Sequence, residues 1–305
     1  MLAMPDEFYC LAVDLRGYGD TEEKIIDATR GARDWSDDLA ELVQALGLGA
    51  VHWVGWSAGA AAIMQLCMDH GALVRSLTLI APISPFGFGG TRGEVGEPCF
   101  DDYAGSGAGV VGKEFIEQIR LKDKTQDLPV SPLSVIYENY IFKPQKFARE
   151  KELLEGSLKQ SVGEQQYPGD FEVSANWPYV SPGVYGPINA VSARHYNMSA
   201  FADLPVKPPV IWIHGDQDVI VSNHSNSDMA VLGAEGLVAG WPGAVCFPPQ
   251  AMIDQMRFLM QAYCRKGGIF EESVMADIGH SPFIEAQSEF LSIFLAFLSS
   301  ILSED

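Results

Sequence analysis

Residues 55–59, with the sequence Gly-Trp-Ser-Ala-Gly, are the part of this 305-residue chain best suited to chemistry. They follow an apolar run at 50–56 and lead into small and apolar side chains at 58–68, a pattern typical of a strand followed by a buried helix. A serine flanked by glycines at such a junction fits a tight turn that projects its hydroxyl, and Gly55 and Gly59 are predicted to leave room for that turn to pack. We predict that Ser57 is a nucleophile. The main-chain N–H of Ala58, at the helix N-terminus, is predicted to stabilise the oxyanion of acyl transfer.

A serine hydroxyl at its ordinary pKa is a poor nucleophile, so Ser57 needs a base. Of the six histidines, His280 lies between the last predicted strand, near 270–276, and the last predicted helix, which starts at about residue 289. A histidine in that loop can reach the carboxyl end of a parallel sheet, where Ser57 also lies. We therefore predict that His280 is the general base.

The base in turn needs an acid that fixes its tautomer and stabilises the imidazolium ion. Asp216 and Asp218 both follow the predicted strand at 210–214, again at a carboxyl end. Asp218 sits further into the turn and is the preferred acid, with Asp216 as the alternative.

The segments that must position these residues alternate between strand-like and helix-like patterns, which predicts an α/β fold with a doubly wound, mostly parallel sheet. The predicted strands lie at 8–14, 50–56, 77–80, 210–214 and 270–276. The predicted core helices lie at 35–46, 58–68 and 252–263, and from about 289 onwards.

The alternation stops between the third and fourth predicted strands, where the chain becomes rich in glycine, proline and aromatic residues. We therefore predict two halves of a core, 1–85 and 206–305, separated by a lid or cap insertion at 86–205. Short helical pieces are expected within the insertion at 114–120 and 147–158. Trp56, Phe86 and Tyr185 are predicted to line the substrate pocket. Further aromatic residues of the insertion are Phe88, Tyr137, Tyr140, Phe142, Trp177, Tyr179 and Tyr196.

The order Ser57, Asp218, His280, with each residue just past a predicted strand, resembles the α/β-hydrolase family. Residues 14–20 (Asp-Leu-Arg-Gly-Tyr-Gly-Asp) and 279–282 (Gly-His-Ser-Pro) also resemble recurring segments of that family, as does the His-Gly-Asp-Gln-Asp segment that contains Asp218. The resemblance implies the family's fold, with a helical lid where the insertion lies.

The resemblance also narrows the chemistry, because related epoxide hydrolases and haloalkane dehalogenases carry aspartate where this chain has Ser57. Serine implies acyl chemistry on an ester, lactone, thioester or amide. Family members that hydrolyse carbon–carbon bonds, or that resemble cofactor-free haloperoxidases, also use serine and stay open as alternatives.

One segment of the resembled family has no counterpart in this sequence. The second oxyanion donor of these enzymes comes from a loop, often marked by His-Gly, after a strand that precedes the first helix of this chain. The N-terminal strands and this oxyanion loop are therefore predicted to be absent, and slow hydrolysis of activated esters is expected. Three accounts stay open: the true protein starts upstream of Met1, which is favoured; residues 8–14 pair directly with 50–56; or another segment supplies the strand.

Composition limits the partners. With 20 basic and 40 acidic residues the net charge is −20, which argues against binding to nucleic acid or to anionic lipid. We predict no metal, because no cluster of ligating side chains has metal spacing. No cofactor is predicted either, since the glycine pattern at 107–112 lacks a preceding strand. The start of the chain has no signal-peptide pattern and the five cysteines are scattered, so a cytoplasmic location is predicted, with the oligomeric state left open.

These observations together predict a serine hydrolase that acts on a carboxylic ester or lactone of a small apolar substrate through an acyl-enzyme. The alternative is a hydrolase-like protein that binds a small ligand and turns it over slowly or not at all.

Overall fold

The computed structural model describes residues 3–143 and 147–302. The strands, in chain order, are β1 (Val51–Trp56), β2 (Val74–Ile80), β3 (Thr91–Arg92), β4 (Glu97–Pro98), β5 (Val162–Gly163), β6 (Tyr167–Pro168), β7 (Phe171–Val173), β8 (Val180–Pro182), β9 (Val210–Gly215) and β10 (Phe270–Met275). The α-helices are α1 (Arg33–Ala45), α2 (Ala58–Asp69), α3 (Lys113–Arg120), α4 (Pro132–Val135), α5 (Glu150–Ser157), α6 (Pro187–Ala190), α7 (Met229–Ala234), α8 (Met252–Arg265), α9 (Pro282–Glu285) and α10 (Gln287–Leu302).

Four parallel strands form the main sheet, in the order β1-β2-β9-β10. Trp56 at the end of β1 lies beside Ile80 at the end of β2, and Ile80 lies beside Ile213 of β9. The carboxyl ends of these strands therefore meet at one edge of the sheet. The predicted parallel sheet is confirmed. The strands predicted at 50–56, 77–80, 210–214 and 270–276 are confirmed as β1, β2, β9 and β10.

The sheet is covered by helices on both faces, and the alternating side chains of β9 show how. Val210 and Trp212 point into a core shared with α2 and α8, whereas Ile211 and Ile213 point into a core shared with α10. Successive strand residues face opposite sides, so a strand covered on both faces is apolar throughout. The doubly wound arrangement is confirmed.

The predicted strand at 8–14 is wrong. Its apolar side chains lie largely in solvent, with Tyr9 83%, Leu11 46% and Val13 42% exposed. A strand needs a neighbour for its main-chain donors and acceptors, and within the described residues no strand pairs with the outer edge of β1. Direct pairing of residues 8–14 with 50–56 is therefore also wrong. Met4 and Phe8 instead pack against the core beneath α10.

The loop at 14–20 is organised by its own side chains. The Asp14 carboxylate accepts the main-chain N–H of Asp20 at 3.0 Å. The Arg16 guanidinium makes a bidentate pair with the carboxylate of Asp38 on α1, in which Nε and Nη2 donate at 2.7 and 2.6 Å. Bidentate pairs of this kind fix geometry as well as charge, so the loop is held against α1.

Between β2 and β9 the chain forms only short elements, including the π-helix Ile136–Tyr140. A small apolar cluster here contains Ile136, Ile141, Leu154 and Leu158. The assignment of residues 86–205 as a lid stays a prediction. Among the helices of the described chain, none has the combination of length and apolarity that crossing a bilayer requires.

Candidate active site

Ser57 joins β1 to α2 in a strained main-chain conformation, with φ 54° and ψ −120°. A residue other than glycine rarely adopts a positive φ, and such strain costs on the order of 1–3 kcal/mol. The main-chain N–H of Ser57 donates to the carbonyl of Ile80 at 2.9 Å, which extends the β1–β2 pairing to the turn itself. The serine therefore sits at the carboxyl end of β1 and at the N-terminus of α2, as predicted for a nucleophile.

The two flanking glycines, both predicted to make room for this turn, differ. A Cβ added to Gly55 would lie 2.5 Å from the carbonyl oxygen of Gly59 and 2.7 Å from the Cα of Ala60. A Cβ added to Gly59 would meet no atom within 4 Å. The prediction therefore agrees with the structure at Gly55, because the first turn of α2 lies directly against that residue. It is wrong at Gly59, because a side chain there would point into open space.

This difference makes a matched pair of substitutions. We expect Gly55→Ala to lower the free energy of unfolding by about 1–3 kcal/mol, since the neighbouring atoms are main chain and cannot move aside. Gly59→Ala should leave it unchanged or raise it by up to about 1 kcal/mol, because alanine favours a helix. Urea unfolding of both variants measures the two values. Equal losses in the two variants would contradict the packing described here.

Asp218 and His280 form a buried pair. The carboxylate oxygen Oδ2 of Asp218 lies 2.7 Å from Nδ1 of His280, and the two side chains are 2% and 1% exposed. The second oxygen of Asp218 accepts the main-chain N–H groups of Ile220 and Val221 at 2.8 and 2.9 Å. Both carboxylate oxygens are thus occupied, so the acid is fixed relative to the imidazole.

The loops that carry this pair are joined to each other by main-chain bonds. Asp216 N–H donates to the carbonyl of Met275 at 3.0 Å, and Gln217 N–H donates to the carbonyl of Ile278 at 2.9 Å. Asp216 itself is exposed, and among the described residues its carboxylate accepts only the main-chain N–H of Asp277, at 2.7 Å. Between the two aspartates proposed from the sequence, only Asp218 contacts His280.

The other ring nitrogen of His280, Nε2, is buried and has no hydrogen-bond partner among the described residues. Trp56, which directly precedes Ser57, donates its indole N–H to the carbonyl of His280 at 2.8 Å. The rings of Trp56 and His280 lie 5.5 Å apart. The bond therefore holds the His280 backbone next to the serine turn. Bonds between a base and its nucleophile are often long before substrate binds, so the free Nε2 is compatible with that role.

Two further aromatic rings pack beside the imidazole or beside its neighbour Trp56. Tyr140, the last residue of the π-helix, stands edge-on to His280 at 5.5 Å and to Trp56 at 5.6 Å. Phe283 of α9 lies 5.1 Å from the other side of the Trp56 ring. Burial raises the pKa of Tyr140, and the nearby charge of Asp218 raises it further. Tyr140 therefore remains a neutral phenol beside the imidazole at neutral pH.

The remaining predicted site residues are placed as follows. Ala58 is the first residue of α2. Phe86 is 5% exposed and packs on the main chain of Gly96. Tyr185 is 36% exposed and forms an isolated bridge with Asp27. The oxyanion role of Ala58 and the pocket roles of Phe86 and Tyr185 stay predictions.

Two other potentially reactive side chains, those of Cys67 and His214, are buried in the core. Cys67 of α2 is buried, and burial raises the pKa of its thiol to about 12, so it carries almost no thiolate at neutral pH. His214 is stacked on Trp212 and bonds Glu272 through Nε2 at 3.0 Å. The described residues contain no group of three or more histidine, cysteine or acidic side chains arranged to hold a metal ion.

A family model described as the alpha/beta hydrolase family matches residues 2–292, almost the whole chain. The chain belongs to the α/β-hydrolase family. No curated protein sequence is significantly similar to this α/β-hydrolase.

Solved structures of low sequence identity share the fold. An esterase from Exiguobacterium antarcticum has a TM-score of 0.52 at 13% identity, with 94% of this chain and 80% of that chain covered. A serine hydrolase from Cycloclasticus zankles has a TM-score of 0.53 at 14% identity, with 94% and 78% covered. A bromoperoxidase from Bacillus anthracis has a TM-score of 0.52 at 13% identity, with 94% and 80% covered. At these identities the likeness shows the α/β-hydrolase fold, and membership of the family makes the chain a hydrolase.

Proposed function

We propose that this α/β-hydrolase is a serine hydrolase that cleaves a carboxylic ester or lactone of a small apolar substrate. Ser57 attacks the carbonyl carbon, and His280 takes the serine proton through Nε2. His280 then gives that proton to the leaving alcohol, which leaves an acyl group on Ser57. Water, activated by the same imidazole, releases the acid and restores the serine.

The observation that carries this proposal is the buried Asp218–His280 pair, with its 2.7 Å contact, beside a strained serine turn. Asp218 accepts a hydrogen bond from the Nδ1–H of His280, so Nε2 is left with its lone pair free to take a proton. The nitrogen needed for catalysis is also the one without a partner in the structure.

The walls of the site support an apolar substrate. Trp56 and Tyr140 adjoin the imidazole, Phe283 packs against Trp56, and His280 itself is 1% exposed. A charged substrate would lose its hydration here with little to replace it. A neutral ester or lactone loses much less. Two of the structural neighbours named above are an esterase and a serine hydrolase, and acyl chemistry is compatible with both.

One observation favours a second candidate, a small-ligand-binding protein with weak turnover. Nε2 of His280 has no bond to Ser57, and one oxyanion donor, Ala58 N–H, is assigned where serine hydrolases use two. The loss of one such donor lowers kcat by about 100- to 1,000-fold. The same ligands would then bind at the site and leave unchanged.

The test combines covalent labelling with turnover. Purified protein is treated with a fluorophosphonate probe and, separately, with p-nitrophenyl butyrate and a γ-lactone. We expect a phosphonyl adduct on the peptide that contains Ser57, and hydrolysis above the buffer rate. Acyl-Ser57 should be detected by mass spectrometry after an acid quench. Ligand binding without any adduct or hydrolysis would instead support the binding protein and overturn the proposal.

A further inference from the structure

Glu285, the last residue of α9, joins two segments that are far apart in the sequence. Its Oε1 accepts the main-chain N–H of Gly279 at 2.9 Å, and its Oε2 accepts the main-chain N–H of Phe142 at 2.8 Å. The main-chain N–H groups of Lys143 and Ser281 also lower the pKa of this carboxyl group. One carboxylate therefore bonds both the loop that carries His280 and the chain just after the π-helix.

These two segments touch closely where Glu285 holds them. A Cβ added to Gly279 would lie 2.8 Å from the Phe142 nitrogen and 3.1 Å from Oε1 of Glu285. A second link between the same segments, the ion pair of Lys143 and Asp277 at 3.0 Å, is exposed on both sides and is screened by water. The half-buried carboxylate of Glu285 is the stronger link, because bonds from N–H groups to an ionised acceptor are short and strong.

Both segments contact the imidazole. Gly279 directly precedes His280, so the bond to Oε1 fixes the main chain from which the imidazole projects. Phe142 follows Tyr140 by two residues, and the Tyr140 ring stands 5.5 Å from the His280 ring. The bond to Oε2 therefore fixes the main chain that presents this ring.

We propose that Glu285 is a positioning residue, which couples residues 140–142 to the His280 loop and so keeps the imidazole in the orientation that Ser57 requires. This inference rests on the proposed function, because it gives Glu285 a task only if His280 acts on Ser57. Glu285 touches neither the substrate nor the reacting atoms.

Burial and hydrogen bonding act on Glu285 in opposite directions. Burial raises the pKa of its carboxyl group, and hydrogen bonds from four main-chain N–H groups oppose that rise only in part. A half-buried carboxyl group whose oxygens accept main-chain N–H groups organises the backbone, and removing it leaves those donors without an acceptor. Losing Glu285 would therefore release both the main chain at Gly279, which precedes His280, and the main chain at Phe142, which follows Tyr140.

The test compares Glu285→Gln with Glu289→Gln, which removes the same charge from an exposed position on α10. The glutamine at 285 keeps one acceptor oxygen, so one of the two N–H groups loses its partner. We expect kcat per active site, counted by fluorophosphonate labelling to completion, to fall roughly 100-fold, the effect of misplacing a catalytic group by about 1 Å. KM should change little, Glu285→Ala should lose more than Glu285→Gln, and Glu289→Gln should match the unmodified chain.

Hydrogen exchange supplies a readout that does not depend on activity. Peptides covering 136–143 and 276–282 should lose protection together in Glu285→Gln and keep it in Glu289→Gln. A lower yield of folded protein with unchanged kcat per labelled site would show a merely structural role and overturn the proposal. Independent exchange of the two peptides would overturn it as well. If Glu285→Gln does not fold, Glu285→Asp, which keeps the charge but shortens the reach, is measured in the same way.

The two proposals can fail separately. If the unmodified chain neither labels nor hydrolyses, the proposed serine chemistry fails, and the positioning proposal, which rests on it, fails too. If the unmodified chain is active and the two glutamine variants behave alike, only the role of Glu285 is lost.

Discussion

Replacing Ser57 with alanine should lower kcat for p-nitrophenyl butyrate by about a million-fold, the scale seen when the nucleophile of a serine hydrolase is removed. The expected loss is large because the acyl-enzyme route disappears altogether and only binding and the Ala58 N–H remain. The variant should fold normally, since alanine keeps the Cβ that the turn at φ 54° already accommodates. Steady-state hydrolysis, corrected for the buffer rate, measures the effect.

Ser36→Ala is the matched control. Ser36 lies on α1, is fully buried, and its hydroxyl has no hydrogen-bond partner among the described residues. Removing an unpaired buried hydroxyl costs little stability. This variant should therefore keep both its activity and its reaction with fluorophosphonate. Substantial turnover by Ser57→Ala would contradict the assignment of the nucleophile.

Asp218→Asn should lower kcat by about 10,000-fold while leaving the fold intact, because it changes the tautomer of His280 rather than its position. The oxygen that accepts the N–H groups of Ile220 and Val221 is kept as the asparagine carbonyl. The amide nitrogen then faces Nδ1, where it can donate a hydrogen bond but cannot accept one. The imidazole proton moves to Nε2, which can no longer take the proton of Ser57.

Asp216→Asn separates this effect from a general loss of charge at the same loop. Asp216 is exposed and accepts a single main-chain N–H, that of Asp277, which asparagine can also accept. We expect nearly full activity from this variant in the ester assay. A larger loss from Asp216→Asn than from Asp218→Asn would reverse the assignment of the acid.

Much of the sheet and the main site residues could be predicted from the sequence, because their signals are local. Strands β1, β2 and β9 contain apolar runs that end at turn residues, whereas β10 is half polar and is marked mainly by its place before the His280 loop. The positions of Ser57, Asp218 and His280 then follow from the rule that parallel strands present their carboxyl ends at one edge. The position of Asp218 further into the turn favours it over Asp216, and the structure agrees, because it is the Asp218 carboxylate that contacts the imidazole.

What could not be predicted depends on contacts between distant residues. The run at 8–14 has the composition of a strand, but a strand exists only if another strand pairs with it, and composition does not show whether one does. Glu285 meets Phe142 across 143 positions of sequence, and nothing near either residue marks the contact. Tyr140 was one aromatic residue among many in the insertion, and its place beside His280 follows from the packing of the π-helix.

The outer edge of β1 has a consequence for how copies of the protein behave at high concentration. Among the residues that the structure describes, no strand pairs with this edge. An unpaired edge offers its main-chain groups to any other strand, so it is a template for association between molecules. The net charge of −20 makes the copies repel one another. Salt shortens the range of that repulsion from about 10 Å at 0.1 M to about 3 Å at 1 M, comparable to the length of a hydrogen bond. The acidic surface thus acts as a colloidal stabiliser, and it is least effective in concentrated salt.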